Sequence, residues 1–210
     1  LSLFITFEGG EGCGKSTQAE KLFRKLCKAS LPVVRTFEPG GTRLGRKVRP
    51  TLVSRQLKMQ LSPMTELFLF AASRAQLVTE VIHPNLDDGK IVICDRFTDS
   101  TLAYQGYGRG INLKTIDIIN TLATGGLKPE LVILLDLPPQ IGLTRHQGNK
   151  LGRFEQEGLD FHKRVRDGYL KLAAREPERW LVIDATLPKT EIGKIIWEKV
   201  SQLLASKGYL

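Results

Sequence analysis

Five short apolar runs punctuate the chain: Leu3–Phe7, Val33–Phe37, Ile91–Cys94, Leu131–Leu135 and Leu181–Ile183. Each is nearly continuous and rich in β-branched residues, the pattern of strands buried on both faces of a parallel sheet. Between them, apolar positions recur at helical spacing over Lys15–Ala29, Thr42–Ser54, Pro63–Leu86, Leu113–Ala123, Pro139–His146, Gln156–Arg175 and Lys189–Ser206. Alternation of this kind predicts an α/β fold with right-handed crossovers. Ligands in such sheets bind beyond the carboxyl ends of the strands, so the chemistry is expected there.

The 210 residues suit a single domain, 1–210, and no repeat, low-complexity tract or linker divides them. No run approaches the roughly 20 apolar residues of a membrane helix. The chain enters a strand at once and carries Glu8 soon after, which reads as no secretory signal. Cys13, Cys27 and Cys94 lack metal-ligand spacing, and three unpaired thiols suit a reducing cytoplasm. The net charge of +9 is spread along the chain without a Lys/Arg block or interleaved aromatics. That distribution favours small phosphorylated ligands over nucleic acid.

One motif changes the picture from fold to chemistry. Gly9-Gly-Glu-Gly-Cys-Gly-Lys-Ser16 satisfies G-x-x-x-x-G-K-[ST], and it sits between a strand and a helix as that pattern requires. Gly9, Gly10, Gly12 and Gly14, with Glu11 and Cys13 between them, let successive backbone N–H groups point at a polyphosphate. Lys15 adds a cation for the terminal phosphates, Ser16 offers a hydroxyl to Mg²⁺, and Thr17 follows directly. The expected ligand is a nucleoside triphosphate with Mg²⁺.

Two other strands end in an acid, Ile91-Val-Ile-Cys-Asp95 and Leu131-Val-Ile-Leu-Leu-Asp136. Either carboxylate suits magnesium. Asp95 is preferred because Arg96, a second phosphate ligand, follows it, whereas Asp136 leads into Pro138-Pro139. The second strand ends in Glu38-Pro-Gly-Gly-Thr42, turn chemistry that also permits close ligand approach. Arg43, Arg46 and Arg49 follow at helical spacing; Arg43 and Arg46, with Lys47, read equally as a solvated basic face, and Arg49 is the preferred ligand. Phe70 and Arg74, four apart, share a helix face, where a ring and a guanidinium suit a pyrimidine. Ser100, Thr101, Tyr104 and Gln105 bring hydroxyl, phenol and amide groups together, suited to a base edge and sugar. Arg145, Lys150 and Arg153 lie in a Gly-containing polar stretch, where mobile cations clamp a transferring phosphoryl group or merely decorate a surface loop.

Together with the loop, Glu38–Thr42, Phe70-x-x-x-Arg74, Asp95-Arg-Phe97, Ala103-Tyr-Gln-Gly106, Arg153-Phe-Glu-Gln-Glu157, Asp160–Tyr169 and Ile183-Asp-Ala185 resemble the bacterial thymidylate kinase family, in its order and over nearly the whole chain. The resemblance implies a three-layer P-loop NTPase fold, with a five-stranded parallel sheet flanked by helices and a small lid at roughly 145–157. It implies a homodimer and phosphoryl transfer from Mg·ATP to dTMP, with no nucleic-acid or membrane partner. Carried over by position, Phe70 stacks on thymine, Arg74 bonds its carbonyl edge, and Thr101 and Gln105 contact the base. Tyr104 lies against the sugar, with Ser100 beside it. Arg49 and Arg96 grip the acceptor phosphate, and Glu11 lies near the sugar or the metal. Glu38 and Pro39 border the acceptor, with a cis peptide between them. Lys15, Asp95, Arg96 and Arg153 form the catalytic set, Arg153 being the first choice as transition-state cation and Lys150 the second. Arg145 joins the ATP contacts.

Two other functions fit the residues. One is a monophosphate kinase for dUMP, UMP or CMP. The other is a nucleotide-dependent switch without a second substrate, which leaves the acceptor-side cations and aromatic ring without purpose.

Overall fold

The computed structural model describes residues 2–54, 60–145 and 152–209. Five strands form one sheet: β1 (Leu3–Glu8), β2 (Val33–Phe37), β3 (Ile91–Asp95), β4 (Leu131–Asp136) and β5 (Trp180–Asp184), in the order β2-β3-β1-β4-β5. All pairs are parallel, with Phe7 opposite Asp95 on one side of β1 and Ile133 on the other. The α/β expectation and its five strands are observed. β1 and β3 are buried throughout and β4 to its last residue, whereas the edge strands β2 and β5 each leave residues to solvent. Burial on both faces therefore holds for the three inner strands only.

Helices cover both faces of the sheet. They are α1 (Lys15–Lys28), α2 (Arg43–Val53), α3 (Pro63–Leu77), α4 (His83–Asp87), α5 (Thr98–Thr101), α6 (Leu113–Thr124), α7 (Pro139–Thr144), α8 (Leu159–Arg175) and α9 (Lys189–Ser206). α1 and α9 bury Leu22, Leu26, Ile192, Ile196 and Val200 on one face of the sheet, with Ile5, Phe7 and Ile133. On the other face, Tyr104, Phe161, Val165 and Tyr169 pack on Val132 and Leu134.

Local chemistry sets the helix starts. Thr42 caps α2 by accepting the Gly45 N–H at 2.9 Å, and Ser62 caps α3 ahead of Pro63. The expected single helix Pro63–Leu86 is interrupted by a π-helical turn at Val78–Ile82. A second π-helical segment, Leu102–Gly108, extends α5. The expected helix Gln156–Arg175 starts only at Leu159, preceded by a 3₁₀ turn at Phe154–Gln156.

The phosphate loop and α7 meet backbone to backbone. A Cβ on Gly12, whose φ is +69°, would run into the Gly142 carbonyl, and one on Gly142 would run into the Glu11 carbonyl.

Candidate active site

The carboxyl ends of β1, β2 and β3 open into one cleft of about 1190 Å³. Of the described residues assigned to the site from the sequence, all line it except Gly9, Gly10 and Arg153; the alternatives Asp136, Arg43 and Arg46 do not line it, and the second-choice lid cation Lys150 lies outside the described residues. The cleft has a phosphate end built on the loop and a base end built on α3 and the Leu102–Gly108 segment.

At the phosphate end, Gly14 enters α1 with φ +95°, a left-handed backbone that glycine adopts freely. Lys15 Nζ donates to the carbonyls of Gly9 at 3.1 Å and Gly10 at 2.7 Å. The two glycines thus hold the lysine from behind. Ser16 Oγ donates to Asp95 Oδ2 at 2.5 Å, so β3 delivers its acid beside the loop. Asp136 does not compete for that place, because Arg166 grips it from α8 at 2.7 and 2.8 Å. A hydroxyl beside a carboxylate is an oxygen donor set that suits Mg²⁺. Among the described residues, no group of three or more His, Cys, Asp or Glu side chains could hold a metal alone.

Arg96 occupies the middle of the cleft. Its backbone is left-handed, φ +73°. Its guanidinium donates to Glu11 Oε1 at 2.8 Å, and to the Tyr104 hydroxyl, the Ser100 hydroxyl and the Gly9 carbonyl at 3.2 Å. Tyr104 also donates to Glu11, at 2.7 Å. Burial alone would raise the Glu11 carboxyl, but Arg96 and Lys15 hold it down at about 2. Arg49 reaches the same region, with Nη1 donating to the Pro39 carbonyl at 2.6 Å. The Glu38–Pro39 peptide is cis, as the resemblance implied.

Beneath Arg96 lies Glu8, which the sequence reading passed over as the end of a strand. Its carboxylate accepts from the Phe97 N–H at 2.8 Å, the Ser100 hydroxyl at 2.5 Å and the Tyr169 hydroxyl at 2.8 Å. Burial, followed by the nearby Asp99 charge, raises Glu8 to about 7. A charged residue closing an apolar run was the available signal.

At the base end, Phe70 lines the cleft with its ring centroid 6.1 Å from that of Phe154. Thr101 and Gln105 are buried there. Arg74, only 1% exposed, is mostly engaged by the protein. Its Nε donates to Glu38 Oε2 at 2.9 Å, Nη1 to Asn120 Oδ1 at 2.7 Å and Nη2 to the Phe97 carbonyl at 3.1 Å. Burial raises the Glu38 carboxyl, against the pull of Arg74. A lone acid in an apolar helix, Glu66, was also passed over. It is buried and accepts from Gln105 Nε2 at 2.7 Å.

Arg153 departs from expectation. Its guanidinium bonds Glu66 and donates to the Leu52 carbonyl at 3.0 Å, and it lies 5.0 Å from the Phe154 ring centroid. The buried carboxylate of Glu66 attracts it more strongly than an open cleft does. Among the described residues, the lid cation that lines the cleft is Arg145, whose Nη1 donates to the Gly12 carbonyl at 3.1 Å.

Comparison with known proteins matches this arrangement. The family model described as thymidylate kinase covers residues 7–196. A thymidylate kinase of Dehalococcoides mccartyi is 54% identical over 204 residues, 97% of this chain and 98% of that protein. One from a Synechococcus strain is 52% identical over 206 residues, again 97% and 98%. The crystal structure of thymidylate kinase from Ehrlichia chaffeensis superposes with a TM-score of 0.77 at 36% identity, covering 95% of this chain and 98% of that one.

Proposed function

The chain belongs to the thymidylate kinase family, and from that premise we propose how its cleft divides the work of phosphoryl transfer. The enzyme is a phosphotransferase of nucleotide biosynthesis that moves the γ-phosphoryl group of ATP to dTMP, giving dTDP and ADP. One observation carries the division of labour. Arg96 and Asp95, adjacent in sequence, stand between the phosphate loop and the pocket of Phe70, Arg74 and Gln105 within a single cleft.

ATP takes the loop Gly9–Thr17, with Lys15 on its outer phosphates and Arg145 beside it. Ser16 and Asp95 fit Mg²⁺, which when bound neutralises charge on the outer phosphates. Arg49 and Arg96 hold the acceptor phosphate in line. Glu11 and Tyr104 face the sugar, and Glu38, Pro39, Ser100 and Thr101 border it and the base. A phosphate monoester is already nucleophilic near neutral pH, so alignment and charge neutralisation suffice without a general base. Arg153 takes the transition-state role by exchanging Glu66 for the transferring phosphoryl group.

A homodimer forms through α3 and α6. Each leaves an i, i+4 apolar pair exposed, Met64 with Phe68 and Ile118 with Leu122, the last 80% exposed. Sedimentation velocity reads the expected doubled mass directly. No described helix is long and apolar enough to cross a membrane, and the proposed compartment is the cytoplasm.

The test is ADP release from Mg·ATP with dTMP, dUMP, UMP, CMP and thymidine as acceptors. Strong preference for dTMP is expected, and turnover indifferent to the acceptor overturns the pocket. In the same assay Arg153→Ala slows turnover while leaving dTMP affinity nearly intact, and unchanged turnover removes its role.

A further inference from the structure

Gln105 is an amide in the cleft wall at the base end whose orientation the protein itself dictates. An amide offers a donor on one side and an acceptor on the other, whereas a carboxylate only accepts. Glu66 Oε1 lies 2.7 Å from Gln105, so the group facing it is the Nε2 donor. Glu66 sits behind the cleft wall, and Gln105 lines the cleft. With nitrogen turned to Glu66, the carbonyl Oε1 is left for the cleft, and among the described residues nothing donates to it. Beside it, Arg74 gives one Nη1 hydrogen to Asn120, and nothing among the described residues takes the other. The wall therefore offers one acceptor and one donor.

Glu66 is fixed in turn. Arg109 approaches its Oε1 at 3.3 Å and Oε2 at 3.4 Å, is itself tied to Glu157 at 2.6 Å, and stays in place when Arg153, which bonds Oε2 at rest, leaves for the phosphoryl group. The carboxylate cannot turn away from Gln105 without breaking these pairs.

Resting on the reading that Gln105 and Arg74 face the acceptor base, we propose that Glu66 is a specificity-determining positioning residue. It locks the Gln105 carbonyl towards the base, so that the acceptor must carry a ring N3–H beside a C4 carbonyl. Thymine and uracil carry that pair. Cytosine carries the reverse, an N3 acceptor beside an amino donor, and meets acceptor with donor nowhere along this edge. A site built to hydrogen-bond one pattern rejects its inverse strongly, because buried polar groups are left unpaired.

The test compares kcat/KM for dTMP, dUMP and 5-methyl-dCMP, the last keeping the methyl group while inverting the edge. The wild-type enzyme is expected to favour dTMP over 5-methyl-dCMP by about 10³-fold or more, and over dUMP by only about 10–200-fold. In Glu66→Gln the neighbour both donates and accepts, so the Gln105 amide is free to turn. The dTMP to 5-methyl-dCMP ratio then falls by about tenfold or more, while the dTMP to dUMP ratio stays put. Arg109→Lys disturbs the same cluster but keeps the carboxylate, and both ratios should remain at wild-type values. Loss of activity on all three acceptors in proportion marks a merely structural role for Glu66 and overturns the proposal. So does an Arg109→Lys enzyme that loses discrimination as Glu66→Gln does. Wild-type turnover of 5-methyl-dCMP within tenfold of dTMP overturns it without any variant. An enzyme inactive on dTMP and dUMP alike overturns the underlying site assignment, and this inference with it.

Discussion

The two ends of the cleft recruit their cations in opposite ways. At the phosphate end, Lys15 is held by neutral groups of its own loop, the Gly9 and Gly10 carbonyls and the Cys13 sulfur, which are easily exchanged for phosphate oxygens. At the base end, Arg74 is committed to a buried ion pair with Glu38 and to bonds with Asn120 and Phe97. The first cation serves the ligand and costs the fold little. The second holds three segments together and leaves the ligand a single hydrogen.

That contrast breaks first at Arg74. Arg74→Met strands the Glu38 carboxylate without its partner, and removing one member of a buried pair costs about 3–5 kcal/mol of unfolding free energy. Denaturant titration measures it, and a loss below about 1 kcal/mol, the level of an exposed pair, would dissolve the distinction between the two ends. Lys15→Met should do the reverse. Turnover falls about 10²–10³-fold, as when one preorganised charge donor is removed, while the unfolding midpoint stays near wild type.

The smallest effect sharpens the comparison at their junction. Glu8 lies near 7 in the folded chain against an ordinary value of 4.5. Between those values the folded chain keeps a proton that the unfolded chain has released, so Glu8 makes stability fall as pH rises through this window and level off above 7. Glu8→Gln removes this slope. The difference between wild-type and variant unfolding free energies should drift by up to about 3 kcal/mol between pH 4.5 and 7. Parallel curves would mean that Glu8 titrates as it does in water.

The same contrast explains what the sequence disclosed. The phosphate end is contiguous: β1, loop and α1 lie side by side, and each glycine performs its role where it stands. The sheet was legible for the same reason, since each inner strand is one nearly continuous apolar run. The base end is assembled from afar. Arg74 meets Glu38 across 36 positions and Asn120 across 46, distances over which spacing carries no signal. The π-helical segment Leu102–Gly108 also breaks the 3.6-residue rhythm that marks a helix, so Tyr104 and Gln105 were visible as chemistry and not as an element. Arg153 reads in the sequence as the transition-state cation and not as the partner of Glu66, because nothing local couples those two positions.

The backbone contact between Gly12 and Gly142 limits how portable this phosphate loop is. Position 12 has no volume for any side chain, so the loop cannot acquire a cation there, however useful one would be to the departing phosphate. On the proposed division of labour, that charge comes from a segment more than a hundred positions downstream, and α7 packs against the loop just ahead of it. Loop and lid therefore form a single heritable unit. Grafted alone onto another scaffold, Gly9–Thr17 would bring a grip on ATP and none of the means to spend it.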